Sequence, residues 1–191
     1  MKKFLVPKGT YGYLKNRRIY TACRTVFFFL LCIGLYVMGL VSTGSNRNLL
    51  TIVAVLGCLP ACKSAVNFII CLRAKGCSEA LYQKLSPFDE KLLTFYDLYF
   101  TSYQKNYAIS HMALKGGILC GITETPACDC KEAEKHLEQM LLQEGIKNVV
   151  VHIFSQDDKY IDRLGRLAEM QEDDHKNREG IVNLLYAVSL S

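Results

Sequence analysis

The chain has 191 residues, is 50% hydrophobic and carries a formal net charge of +5. This charge is divided, because residues 1–78 contain eleven Lys or Arg and no acid, whereas residues 79–191 contain all 18 acids. The second part is mildly acidic. That excludes the usual nucleic-acid-binding domain, which presents a basic stripe to the phosphate backbone.

Two apolar runs, Thr25–Ser42 and Leu49–Leu72, stand on either side of the short polar segment Thr43–Asn48. A helix of about 20 apolar residues crosses a hydrocarbon core of about 30 Å, and helices satisfy the backbone amides there. The runs therefore predict a transmembrane hairpin over 25–72, with helices at about 20–42 and 49–72. A buried soluble hairpin or a cleaved signal peptide is the alternative. Core helices are rarely apolar on every face, and a signal-peptide core is shorter.

Basic residues flank the outer ends of the hairpin. They are Lys2, Lys3, Lys8, Lys15, Arg17, Arg18 and Arg24 before it and Arg73 and Lys75 after it, against only Arg47 in the connecting segment. The positive-inside rule then predicts a multi-pass membrane protein with both termini cytoplasmic, in the plasma membrane if the source is bacterial. Residues 1–24 are expected to form a basic cytoplasmic arm attracted to anionic headgroups.

Two polar side chains interrupt the second run. Lys63 lies roughly 13 Å from the cytoplasmic end of the predicted helix, and Asn67 follows one turn later on the same face. They mark either a polar contact between helices or subunits, or a lysine that snorkels to the headgroups. Small residues at Gly57, Ala61 and Ala65 predict close packing of the two helices, with dimerisation as the alternative.

The remaining residues, 76–191, have the size of one small domain. The predicted elements are, in chain order, a helix at Ser78–Leu85, a helix from Ser86 to about Tyr96, strands at Leu98–Tyr103, Tyr107–Leu114 and Ile118–Thr123, a helix at Cys130–Glu144, a strand at Val149–Phe154, a helix at Asp157–Met170, a polar loop at Gln171–Gly180 and a strand at Ile181–Leu190. This order predicts an α/β (α+β) domain with a mixed sheet, since the Cys130–Glu144 helix can serve as a parallel crossover.

The order of one helix, three strands, a helix and a strand resembles the core of the restriction-endonuclease-like nucleases. Their metal-dependent chemistry needs a carboxylate on the second strand and an acid-x-Lys pair on the third. Here the second strand carries Ser110 and His111, and the third reads Ile118–Ile122 without an acid. The resemblance therefore covers topology alone.

Histidines offer the main candidate chemistry. His152, in the clearest strand, could act as a general base with Asp157, and His111 is the second candidate. The favoured interpretation is a half-buried strand residue, because no nucleophile stands at a characteristic spacing. Glycine-rich phosphate loops are absent from the sequence, so no cofactor is predicted.

Cys128 and Cys130 form a C-x-C pair near Cys120 and His136 in the sequence. Four such ligands could hold a tetrahedral zinc ion, although zinc sites usually use C-x-x-C spacing. Free thiols are the favoured interpretation, because the predicted compartment is reducing and the nine cysteines are irregularly spaced.

Three functional hypotheses remain. The first is a membrane-anchored interaction or regulatory module whose partners are the bilayer and either another protein or a second copy through the membrane helices. The second is a tethered hydrolase using His152 or His111 with nearby acids, although the balance is against an enzyme. The third is a subunit of a larger membrane complex, with Lys63 and Asn67 in the helix interface.

Overall fold

The computed structural model describes residues 6–45, 48–102, 105–170 and 178–189. It divides into two compact units, a helical hairpin at 14–74 and an α/β unit built from 6–13 and 75–191. Several predicted features lie outside the described residues: Lys2, Lys3, Arg47, the end of the Leu98–Tyr103 strand, most of the Gln171–Gly180 loop and Leu190.

The hairpin consists of α1, Tyr13–Thr43, and α2, Leu49–Arg73. α1 begins earlier than predicted, directly after Gly12. The φ of Gly12 is +81°, which is outside the right-handed helical region. The residues between Gly12 and the apolar run include lysine and arginines, which are good helix formers. The helix therefore extends toward the N-terminus until it reaches this glycine. At the other end, the Asn48 side chain accepts a hydrogen bond from the Thr51 N–H and caps α2.

The two helices pack along a narrow seam with a constant antiparallel register. From the tip downward, Gly39 faces Leu50, Cys32 faces Gly57, Thr25 bonds Ser64 at 2.9 Å, and Arg18 donates to the Cys71 carbonyl at 2.8 Å. Each step along α1 is matched by an equal step back along α2. The buried residues are Leu14, Thr21, Thr25, Cys32 and Gly39 on α1 and Ala54, Ala61, Ser64 and Cys71 on α2. Their seven-residue recurrence is typical of a coiled-coil seam, and their small size brings the backbones close.

The outer surface of the hairpin is apolar almost all round. Only 17% of the most apolar stretch of each helix is buried, and both helices are long enough to cross a membrane. The exposed large side chains include Phe27, Leu30, Ile33, Met38, Val41, Ile52, Val55, Leu59, Val66 and Ile69. A core helix of a soluble protein would bury most of such a surface.

The α/β unit contains a mixed four-stranded sheet, as the sequence predicts. Its elements are α3 (Glu79–Leu85), a 3₁₀ turn (Ser86–Phe88), β1 (Leu93–Thr101), β2 (Asn106–Lys115), β3 (Ile118–Ile122), α4 (Cys130–Gln143), β4 (Val150–Phe154), α5 (Asp157–Glu169) and α6 (Arg178–Val188). The strand order is β1-β2-β3-β4, with two antiparallel pairs and a parallel β3–β4 pair reached through α4.

Both faces of the sheet are covered. α4 and α6 pack against one face through Leu137, Leu141, Ile181 and Leu185, whereas α3 and α5 cover the other, with Tyr160 at its centre. The central strand β2 is consequently buried at nearly every position instead of alternating.

The predicted helix from Ser86 to Tyr96 is wrong. Pro87 starts only a single 3₁₀ turn, and β1 begins at Leu93. The Asp89 carboxylate accepts hydrogen bonds from the Thr94 hydroxyl at 2.7 Å and the Tyr96 hydroxyl at 2.8 Å. These bonds fold the turn back onto the strand, so tertiary contacts override the helical start signal.

The predicted last strand, Ile181–Leu190, is also wrong, because residues 178–188 form α6. Ile181 and Leu185 are buried on one helical face. A short apolar run does not distinguish a strand from a buried helix by periodicity. Only Ser189 retains a strand-like contact, an isolated bridge to Phe100.

Residues 6–13 belong to the α/β unit, which differs from the expected separate arm at 1–24. The Tyr96 N–H on β1 donates to the Gly9 carbonyl at 2.7 Å, and the Lys8 ammonium donates to the Ser189 carbonyl at 2.7 Å and to the Tyr186 carbonyl. This segment covers the open edge of β1, which would otherwise invite pairing with another chain.

Candidate functional site: a buried histidine in an aromatic cluster

His111 lies at the centre of β2, paired with Tyr96 on β1 and Ile122 on β3. Its side chain is 0% exposed. Because β1 and β3 pair on either side of β2 and Tyr160 of α5 contacts the ring, the imidazole is shielded from solvent.

One hydrogen bond defines the orientation of the imidazole. His111 Nδ1 lies 2.6 Å from the Tyr160 hydroxyl oxygen, whereas that oxygen is 3.4 Å from the Cys120 carbonyl. The tautomer of His111 decides which partner donates in the shorter contact: a proton on Nδ1 is donated to the Tyr160 oxygen, and the Tyr160 hydroxyl then donates to the Cys120 carbonyl. Nε2 is buried and has no hydrogen-bond partner among the described residues. An orphan polar atom of this kind costs about 1–3 kcal/mol.

Burial lowers the pKa of His111 from 6.5 to about 3, so the ring is neutral at physiological pH. Burial also raises the pKa of Tyr160 well above its usual value of 10. A general base needs a pKa near the working pH and contact with its substrate. The His111–Tyr160 pair has neither property in this conformation.

Tyrosine rings extend this cluster toward the surface. The Tyr96 ring lies 4.5 Å from the His111 ring, Tyr82 contacts Tyr96 edge-on at 5.4 Å, and Tyr11 stacks on Tyr82 at 4.0 Å. Burial raises the pKa of Tyr96, and its hydrogen bonds to Asp89 add to this effect. The aromatic cluster therefore joins the segment before α1, α3 and the sheet into one packed layer.

Asp97 and exposed Asn148 are the non-glycine residues with a positive φ in the described part of the α/β unit, and Asp97 is the buried one. It is buried within β1 with a φ of 57°, and its carboxylate accepts the Cys77 N–H at 2.7 Å. The left-handed conformation reverses the strand's faces, so Phe95 and Leu98 pack into the same core. Sequence analysis missed this position; an acid within an aromatic strand was the available signal.

Gly76 and Cys77 complete the surroundings of Asp97. A Cβ on Gly76 would lie 2.7 Å from a carboxylate oxygen of Asp97, so any larger residue there would displace this hydrogen-bonded carboxylate. Burial raises the pKa of the Cys77 thiol to about 12, with nearby Glu124 and Asp97 adding to the effect. Nucleophilic cysteines have a lowered pKa instead.

The hydrolase candidates His152 and Asp157 are not joined by a hydrogen bond in the described structure. His152 is half-buried on β4 and pairs with Cys120. Asp157 begins α5 and forms a surface ion pair with Lys84 at 3.1 Å. Neither contact creates a proton-transfer pair.

The four cysteine and histidine residues considered for zinc do not converge. Cys128 and Cys130 pack against the core beneath α4, whereas Cys120 belongs to the core beneath α5 on the opposite face. Within the described ranges, no group of three or more His, Cys, Asp or Glu is arranged to hold a metal. Burial raises the pKa of both Cys128 and Cys130, as expected for inert thiols.

A polar contact in the middle of the hairpin seam joins Thr25, Ser64 and Arg24, and Lys63 and Asn67 are not part of it. Lys63 is exposed and Asn67 half-buried, whereas Ser64 is buried in the seam. Ser64 bonds Thr25 at 2.9 Å and accepts from Arg24 Nε at 3.2 Å. Thr25 and Ser64 stood in apolar runs, but only the register of the two helices brings them together.

No protein-family model matches this chain, and no curated protein or solved structure matches it. The structure therefore describes the chain only by its architecture, which is two long apolar helices followed by a small α/β region with a mixed four-stranded sheet. Function follows only from the residues and contacts described above.

Proposed function

We propose that this protein is a two-pass membrane protein that holds its α/β unit at the cytoplasmic face of the bilayer as an interaction or regulatory module. The main support for this proposal is the exposed apolar surface of the hairpin. Only 17% of the most apolar stretch of each helix is buried. Such a surface is stable when lipid covers it.

The α/β unit supports an even number of membrane crossings. It is assembled from residues 6–13, before α1, and 75–191, after α2. Both parts must lie on one side of the bilayer to meet, which two crossings allow. The basic flanks Arg17, Arg18 and Arg73 favour the cytoplasmic side.

A module is favoured over a hydrolase because the reactive groups are held in unreactive forms. His111 is neutral and inaccessible, and Cys77 has a pKa raised to about 12. Asp157, the candidate partner of His152, is engaged by Lys84. A regulatory partner or ligand would bind the outer surface of the helices, since both sheet faces are covered.

Two measurements test this proposal. Alkaline carbonate extraction of membranes should leave the full chain in the pellet. One cysteine at a time should then be introduced at exposed Ser45, at the hairpin tip, or at exposed Glu144. The background has every native cysteine that is exposed or partly exposed replaced by alanine, namely Cys23, Cys58, Cys62, Cys77, Cys128 and Cys130. The native pair Cys128 and Cys130 is a poor reporter because burial raises the pKa of both thiols.

We expect an impermeant maleimide to label Ser45→Cys in intact cells and Glu144→Cys only after permeabilisation. Release of the chain by carbonate would contradict membrane insertion. Labelling of Glu144→Cys in intact cells, with Ser45→Cys labelled only after permeabilisation, would contradict the cytoplasmic placement while leaving insertion standing. Labelling of both sites in intact cells would contradict the two crossings.

A further inference from the structure

We propose that Arg24, Lys63, Asn67 and Tyr20 form a binding site for the phosphate of an anionic phospholipid on one side of the hairpin. This inference rests on the proposed function, because it requires the hairpin to lie in a bilayer. A bound phosphate would explain why two cations interrupt the apolar surface. Residues 1–78 contain no Asp or Glu that could neutralise them.

The register places the two cations together. Arg24 directly precedes Thr25, Lys63 directly precedes Ser64, and the Thr25 and Ser64 hydroxyls bond each other at 2.9 Å. An approximate two-fold axis relates the helices of an antiparallel pair, and it carries the residue before Thr25 onto the residue before Ser64. Both cations therefore lie on the same side of the hairpin, about 3 Å apart along its axis.

Two further polar residues extend this patch by one turn. Asn67 follows Lys63 by four residues and Tyr20 precedes Arg24 by four, so each shares a helix face with its cation. The Arg24 guanidinium lies over the Tyr20 ring at 5.8 Å. The four residues thus form a continuous polar patch. It contains two cationic hydrogen-bond donors, the Asn67 amide and the Tyr20 phenol.

Arg24 is already held in position for an anion. Its Nε donates to the Ser64 hydroxyl at 3.2 Å, which draws the guanidinium across the seam toward α2. The two terminal nitrogens form the planar fork that binds phosphate oxygens in pairs. Lys63 is exposed beside it and adds a mobile point charge.

The level of the patch fits the boundary of a bilayer. From Thr25 to the end of α1 at Thr43, the helix extends about 28 Å at 1.5 Å per residue. This is close to the hydrocarbon thickness of about 30 Å. With the hairpin tip at the far interface, Arg24 and Lys63 reach the near interface, where lipid phosphates lie.

The test compares lipid retention by the full chain in mild detergent, measured by native mass spectrometry with phosphatidylglycerol or phosphatidylcholine. The double variant Arg24→Gln/Lys63→Gln is matched by Lys15→Gln/Arg73→Gln, which removes the same charge from exposed helix positions. We expect the first pair to weaken phosphatidylglycerol retention about tenfold or more and the second by about twofold or less. Far-UV circular dichroism checks that all three proteins keep their helices.

Equal losses in the two double variants, or no loss in Arg24→Gln/Lys63→Gln, would overturn the site. Displacement of the retained lipid by inorganic phosphate would show that a free anion is bound and would overturn the lipid assignment. Carbonate extraction separates this result from the proposed function: a chain that stays in the membrane without lipid preference loses only this site, whereas a chain that is released loses both.

Discussion

Each compact unit contains a buried polar pair, and the two pairs differ in whether their polar atoms all have partners. In the hairpin, Thr25 and Ser64 satisfy each other at 2.9 Å within a seam of small residues, and the outer surface is apolar. In the α/β unit, His111 is buried among aromatic rings, and its Nε2 has no partner among the described residues. Polar atoms therefore fix the helix register in the hairpin, whereas in the α/β unit one of them makes stability depend on its charge state.

The largest expected effect comes from crowding the buried carboxylate of the α/β unit. Gly76→Ala places a Cβ 2.7 Å from Asp97, and we expect a loss of about 2–3 kcal/mol in the free energy of unfolding. Urea unfolding of the full chain in detergent, followed by tyrosine fluorescence, measures it. Gly165→Ala is the control, since a Cβ there meets nothing within 4 Å, and helix propensity predicts a gain of about 0.5–1 kcal/mol. Equal effects at both glycines would contradict the close packing at Gly76.

Acid should destabilise the α/β unit through His111. Its pKa is about 6.5 unfolded and about 3 folded, so the stabilising contribution of the neutral ring is complete above pH 6.5 and is lost as the pH falls toward 3. We expect a loss of about 2 kcal/mol between pH 6.5 and 5, at about 1.4 kcal/mol per unit.

Urea midpoints of wild type and His111→Leu across this range measure the contribution of His111. The leucine variant should show a flatter pH dependence. Identical slopes in the two proteins would show that His111 is not the group that titrates on unfolding.

Tyr160→Phe tests the single bond that orients His111. The substitution keeps the ring but removes the hydroxyl 2.6 Å from Nδ1, so we expect a loss of about 1.5 kcal/mol. A double-mutant cycle with His111→Leu should recover most of this loss, because the partner atom is then absent. Additive losses in the cycle would mean that the two side chains act independently.

The smallest effect is expected in the hairpin seam. Ser64→Ala removes the bonds to Thr25 and Arg24, and polar contacts between membrane helices average about 0.6 kcal/mol. Thermal unfolding of the full chain in detergent, followed by far-UV circular dichroism, measures the change. A loss larger than that of Tyr160→Phe would reverse the comparison between the two units.

The sequence predicts the elements whose apolar pattern is long or clearly periodic. The two apolar helices, the Val150–Phe154 strand and helix α4 all follow from length or periodicity in the sequence. α6 was missed because its short apolar run fits two periodicities, and its burial against the sheet decides between them.

The sites were harder to predict because they depend on register. His111 was identifiable as a histidine on a strand, but its contact with Tyr160 joins residues 49 positions apart. Likewise, Lys63 attracted attention as a charge in an apolar run, whereas its placement beside Arg24 follows only from the pairing of Thr25 with Ser64. Neither partner is visible from local sequence.

The contact between Lys8 and Tyr186 has a consequence for biosynthesis. These residues are 178 positions apart, and both long apolar helices are synthesised between them. A ribosome therefore releases the segment that covers the edge of β1 long before the helix to which it is fastened exists. Until α6 emerges, the β1 edge lacks the Ser189 bridge, so the nascent chain passes through a period in which this edge can pair with another chain.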